Sequence, residues 1–257
     1  MTRERIKILV TVKAYPNPST KYGETVCIAG IDIDTLEWIR LYPVQFRDLE
    51  SDKQFKKYSI IEAYVRKAAK DKRPESYNID EESIRIIDEL DTKDRWKKRK
   101  EIVLPTVQGS MCELFDLEKR ENRSLGCIKP SDIEFYHMSA KEDDTEKKKA
   151  SYAQLSFLHG QKEPIEHIPF DFRYTFKCED IDPYRGHDFQ IIDWEIKQAY
   201  RSWRGTYKDE EALLEKIKDR WLNLICSELN DVYFYVGNVH RFPETFMILG
   251  IFYPPKK

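Results

Sequence analysis

The stretch GHDFQIIDWEIKQAYRSW, Gly186 to Trp203, decides how this chain is read. On a strand, side chains two apart point the same way, so Asp193, Glu195 and Lys197 would share one face opposite Ile192, Trp194 and Ile196. On a helix those three charges scatter. The helical pattern is the stronger one: Phe189, Ile192, Ile196, Ala199 and Trp203 recur at spacings of 3, 4, 3 and 4, a single apolar stripe. Asp188 stands just before it as a capping type, with Gly186 upstream. Asp193 and Lys197 then form an i,i+4 pair of the favourable orientation. A helix over 189–203 is therefore expected.

The strand alternative carries a function. An acidic residue followed two positions later by Lys resembles the E-x-K half of the PD-(D/E)xK nuclease superfamily. That resemblance implies Mg²⁺ held by Glu195 and an upstream acid, drawn from Asp182, Asp188 or Asp193, with Lys197 serving the nucleophile or the phosphate. A three-residue pattern also arises by chance where 35% of residues are charged. Outside that reading no cofactor is implied. Cys27, Cys112, Cys127, Cys178 and Cys226 show no paired spacing. His187 with Cys178 would supply only two of the four ligands of a zinc site, so no metal is expected. The histidines are sparse, and His187 and His240 sit in loop-type sequence suited to a base or an anchor.

Around this stretch the chain reads as α+β. Residues 6–12 alternate as a strand, 26–33 and 38–42 form a hairpin, a helical turn fits QFRDLE, and YSIIEAYVRK is a further strand. Four short strands at close spacing suit a small barrel or an ordinary antiparallel sheet. The first region, 1–139, also holds a strand at SIRIIDEL, helices at TKDRWKKRKEI and SMCELFDLEKREN, and a strand at SDIEFYHM. Residues 140–151, AKEDDTEKKKAS, are charged and without apolar period, hence a linker or loop. A second region, 152–257, follows as strand, helix, helix and β-hairpin, with FDFRYTFKC the clearest alternation in the chain. No apolar run reaches the roughly 18 to 20 residues that span a bilayer. An odd cysteine count without paired spacing suits reduced thiols and a cytoplasmic protein.

Charge gives the functional expectation. Basic and acidic residues nearly balance at 44 and 46, yet residues 53–73 carry eight basic against two acidic side chains, net +6, and 91–100 six against two, net +4. Clustered Lys and Arg bind phosphates by counterion release, and interleaved aromatics stack on bases. Arg66, Lys67 and Arg73 in the first run, Trp96, Lys97, Lys98 and Arg99 in the second, and Arg40, Tyr42 and Arg47 in EWIRLYPVQFR form the expected binding set for a nucleic acid or nucleotide. A solvated charged face or edge-strand packing explains the same residues without a ligand. A third alternative is a protein-interaction subunit, meeting its partner through the C-terminal hairpin VGNVHRFPETF and the aromatic strand faces. Phosphate-loop, dinucleotide, zinc-protease and nucleophile-elbow motifs are all absent from the sequence.

Overall fold

The computed structural model describes residues 3–19, 23–140, 166, 168–178 and 186–256. The charged stretch 141–151, Asp182, His159 and His167 lie outside the described residues. The expected α+β class is what the structure shows.

The N-terminal strands close into a barrel. β1 (Glu4–Lys13) pairs with β3 (Gly23–Asp32) on one side and β5 (Ser59–Lys67) on the other; β3 pairs with β4 (Trp38–Val44), β4 runs parallel to β6 (Ser76–Ile79), and β6 returns to β5. The short β2 (Asn17–Ser19) adds to β3, and β7 (Arg85–Glu89) adds to β5. Ile8, Val10, Ile28, Leu41, Ile61 and Val65 fill the interior. Leu9, Val12, Ala29 and Ile31, pointing the other way on the same strands, are equally buried against Tyr235, Leu249 and Phe252 of the second region. Both faces of β1 are thus covered, where simple alternation implies one.

The second region is built from two sheets. β8 (Val107–Gln108) and β9 (Leu125–Ile128) join the C-terminal hairpin of β13 (Tyr233–Val239) and β14 (Phe242–Phe252), while β10 (Ser131–Ser139), β11 (Phe170–Lys177) and β12 (His187–Gln190) form a three-stranded sheet. Sheet membership changes near residue 106, ahead of the charged stretch where the sequence suggests a boundary. Helix α1 (Lys93–Val103) follows the barrel. Helix α2 (Met111–Glu121) is capped by Ser110, whose side chain accepts from the Glu113 amide. Helices α3 (Trp194–Trp203) and α4 (Glu210–Lys218) cover the three-stranded sheet, α4 running on into a π-helical turn at Asp219–Leu224. Inward Phe172, Tyr174 and Phe176 of β11 are fully buried there, as their alternation foretells.

The decisive stretch is strand first and helix second, which corrects the single helix over 189–203. His187 to Gln190 pair with β11, Ile191 bridges to Ile248 of β14, and Asp193 bridges to Ala14 at the end of β1. The helix then starts at Trp194. Its cap is Asp193, whose Oδ1 accepts from the Glu195 amide at 3.1 Å, and Asp188 is a strand residue. Periodicity misled at Phe189 because the same residue fits the inward register 187, 189, 191 of a strand and the first position of the helical stripe.

Asp193 also closes the joint between the two regions. Lys57, nearly buried, donates to Asp193 Oδ2 at 3.0 Å and to Glu195 Oε2 at 3.2 Å. Burial opposes the Lys57 charge, but the two carboxylates outweigh it and hold the ammonium protonated, while burial pushes Asp193 up to about 6. Lys13 lies alongside, its Nζ donating to the Phe55 carbonyl at 3.0 Å and 4.4 Å above the Phe46 ring; burial, then Lys57, pulls it down to about 8. On the next turn of α3 Lys197 is buried too, donating to the Phe170 carbonyl at 2.6 Å, and burial lowers it to about 8.

Two outcomes follow in stability measurements. Asp193→Ala removes a cap and leaves a buried ammonium with only the half-exposed Glu195, and is expected to cost about 3–5 kcal/mol in denaturant unfolding. Asp193→Asn should cost less than the alanine variant and clearly more than Glu195→Gln; equal effects of the last two would refute the pair as the joint. For Lys197 the folded value of about 8 lies below the ordinary 10.5, so the unfolded chain binds the extra proton between those limits. Its penalty is complete below pH 8 and vanishes as pH rises to 10.5. Relative to Lys197→Met, the parent should therefore gain stability over that range and show no such trend below about pH 7; a flat difference throughout would contradict it.

Candidate nucleic-acid interface

On β5 the alternation that buries Ile61, Ala63 and Val65 turns Glu62, Tyr64 and Arg66 outward. The antiparallel register sets Asn78 opposite Arg66 and Tyr77 opposite Lys67, and cross-strand neighbours of this kind touch. Lys67 Nζ stands 3.9 Å over the Tyr77 ring, and the Arg3 guanidinium lies 4.1 Å from the centre of the Tyr64 ring. Asn78 is fixed by donating to the Tyr42 carbonyl at 2.8 Å. Arg3, Tyr64, Arg66, Lys67 and Asn78 bound a shallow cleft of about 540 Å³, in which Asp80, paired with Arg3, is the one carboxylate. Lys67 is also a wall of a second cleft of about 270 Å³, shared with Trp38, Glu75, Tyr77, Arg123 and Leu125. Arg3 thus lies on the exposed Tyr64 ring, whereas the Tyr77 ring under Lys67 is partly buried against the barrel interior.

The residues expected from sequence divide into two groups. Arg66 and Lys67 lie in this strip. Tyr42 is exposed next to it, its hydroxyl 3.4 Å from Thr25 Oγ1. Lys97 and Lys98 are exposed on α1. The others are committed to structure. Arg40 is buried, donating to Ser124 Oγ at 2.8 Å and 3.7 Å from Glu75 Oε1, so it is not at a barrel rim. Arg47 pairs with Glu24 at 2.8 Å. Arg73 grips Asp71 with two nitrogens and donates to Asn238 Oδ1 at 2.9 Å. Trp96 packs on Tyr58, Phe252 and Tyr253, and Arg99 lies 4.0 Å over the Tyr58 ring while donating to the Leu90 carbonyl. A packed Trp cannot be the stacking platform its neighbouring lysines suggest.

Arg3, Tyr64, Tyr77, Asn78, Trp38 and Glu75 are the residues sequence reasoning passed over. Tyr64 was visible as the outward partner of Arg66; Tyr77 and Asn78 come beside Lys67 and Arg66 through the antiparallel pairing of β5 with β6, a strand too short to show an alternation of its own.

The acidic set does not form the face that a strand would present. Glu195 faces Lys57, whereas Lys197 on the same helix reaches Phe170 and Asp171; Asp188 is held by Arg173 at 2.8 Å and by the Tyr136 hydroxyl at 2.7 Å. Among the described residues no three His, Cys, Asp or Glu side chains gather as a metal site. Cys178 Sγ and His187 Nε2 do meet, 3.3 Å apart and buried. In the C-terminal hairpin Phe242 is exposed and Phe246 buried. Among the described residues no helix is long and apolar enough to cross a membrane.

Comparison with known proteins follows the same division as the sheets. Residues 4–105, which hold the barrel, match a domain of unknown function, DUF8758. No curated protein matches the chain. Residues 107–257, more than half the chain, match a second domain of unknown function, DUF8757, and the chain belongs to that family.

Proposed function

We propose that this protein binds single-stranded nucleic acid along the β5–β6 strip. The observation that carries the reading is the outward face of β5 and β6, where Arg66 stands beside Asn78 and Arg3 lies on Tyr64, with Lys67 at the strand end bordering the same cleft. Unlike Arg40, Arg47 and Arg73, the Arg66 side chain has no ion partner among the described residues, so its charge is available to a phosphate. The cleft is shallow and open, suited to a strand laid along it rather than to an enclosed small molecule. A single strand also presents the unpaired bases that exposed tyrosines stack against.

The nuclease reading lacks comparable support, because Glu195 and Lys197 face different neighbours on a helix. The same experiment still tests it.

Labelled single-stranded RNA and DNA, titrated with the protein across a salt series with and without Mg²⁺, give the measurement. Two phosphate contacts, through Arg66 and Lys67, predict a slope of log K on log salt of about −1.4. Arg66→Glu with Lys67→Glu should weaken binding by about tenfold or more and flatten that slope. Lys97→Glu with Lys98→Glu should change it less. A parent that binds neither nucleic acid, or a larger loss from the α1 pair, would overturn the reading; Mg²⁺-dependent cleavage abolished by Glu195→Gln would replace it with the nuclease.

A further inference from the structure

Strand β7, RIIDE, gives one edge to the barrel and the other to solvent. Among the described residues it pairs with β5 alone, and all five of its residues are exposed. Ile86 is 40% exposed and Ile87 50%. A register shift sets Asp88 against Ile60 and Ile86 against Ile61, which leaves Ile87 between them with no residue opposite on β5. Arg85 and Asp88 have no ion partner among the described residues: Glu62, opposite Arg85, is taken by Arg5, and Asp88 accepts from the Glu89 amide at 2.8 Å. Glu89 meets Lys56 at 3.2 Å in an exposed pair, of the kind that water keeps weak. An edge strand is a template for a further strand, and proteins guard such edges with proline, a cover or inward charge. Here the middle is apolar and the charges stand at the ends; the bulge twists the edge without covering its isoleucines.

We infer that β7 pairs antiparallel with β7 of a second copy of this chain, joining two barrels edge to edge about a two-fold axis. The partner follows from the order of charge along the strand. An antiparallel match with Ile87 opposite itself sets Arg85 against Glu89; shifted by one, with Ile86 opposite Ile87, it sets Arg85 against Asp88. In both registers each end of the strand meets the opposite sign, both times by the symmetry of an isologous contact, and isoleucine meets isoleucine at the centre. A parallel match would set Arg85 against Arg85 and the carboxylates against each other. Backbone hydrogen bonds of the two edges supply the contact, and the cross-strand pairs supply its register. A joint of five residues a side lies at the small end of protein interfaces, so the dimer is a weak one that forms as concentration rises. The β5–β6 strip plays no part in it.

Sedimentation velocity of the full chain over a concentration series, without nucleic acid, tests the pairing. The parent should pass from the mass of one chain toward that of two between low and high micromolar concentration. Ile87→Lys, which brings like charges together on the axis, should hold it at one chain. Arg85→Glu makes the charged positions of the strand wholly acidic, and Asp88→Lys with Glu89→Lys makes them wholly basic. Each of these two variants alone should weaken association by about tenfold, and their equimolar mixture should return to two chains, one of each kind. The mixture is its own control, because misfolded chains would not rescue one another. A parent that stays a single chain throughout overturns the inference and leaves the edge to an extended segment of another protein. A dimer that survives Ile87→Lys overturns the location, and charge variants that stay apart when mixed overturn the antiparallel match.

Discussion

The buried contact between Lys57 and Asp193 is the constraint on which the rest of the molecule turns. Lys57 precedes β5 of the barrel; Asp193 ends the strand segment of the second region and caps α3. Neither charge can be left alone in an apolar joint, so the two regions are held in one arrangement, and the start of α3 is fixed by the same carboxylate that fixes the barrel. The backbone repeats the tie, with the Tyr15 amide donating to the Ile192 carbonyl at 2.8 Å and Ile192 donating to Ile248 at 2.9 Å. The apolar layer of Leu9, Ile31, Tyr235 and Phe252 supplies most of the adhesion, at about 1.5–3 kcal/mol for each large side chain fully buried. The ion pair supplies register, which apolar contact specifies poorly.

That joint also determines where a ligand can reach the barrel. The second region covers the side of the barrel that carries Leu9, Ala29 and Ile31, whereas the outward side of β5 at Tyr64 and Arg66 remains exposed. The Arg40–Glu75–Ser124 contact is a second tie, from β4 through the loop before β6 to the segment entering β9. Its effect on the smaller cleft is direct: the walls come from both regions, Trp38 and Glu75 from one and Arg123 and Leu125 from the other. A pocket assembled this way exists only when the two regions are docked.

Most elements were legible from local pattern. Strands β1, β3, β4, β5 and β7, the 3₁₀ turn at Phe46–Asp48, α1, α2 and the C-terminal hairpin lie where alternation, helical stripes and turn residues put them, whereas β6 was not foreseen. What was not legible is what depends on partners distant in sequence. The sequence reading puts the cap at Asp188, whereas the structure puts it at Asp193, which Ala14 and Lys57, far along the chain, hold in place. Trp96 sits in a basic run and looks like a stacking platform, yet Phe252 and Tyr253 claim it. Closure of the barrel rests on the parallel pair β4–β6, two residues long in register, too short to leave any periodic signal.

The site shows the same dependence on distant partners through its charge. The excess of +6 over residues 53–73 overstates what a phosphate would meet, since the opposing carboxylates come from outside the window. Lys53 is met by Glu50 and Glu82, Lys56 by Glu89, and Lys57 by Asp193 and Glu195; within the window Arg73 is gripped by Asp71. Arg66, Lys67, Lys70 and Lys72 are the cations of this run with no ion pair among the described residues, and the first two lie on the strip. Exposed pairs such as Lys56–Glu89 hold their partners weakly and still lower the local potential that would draw in a polyanion. Binding by this chain would therefore rest on a few unpaired cations in register with aromatic rings, a surface whose affinity owes more to stacking than a charge count implies.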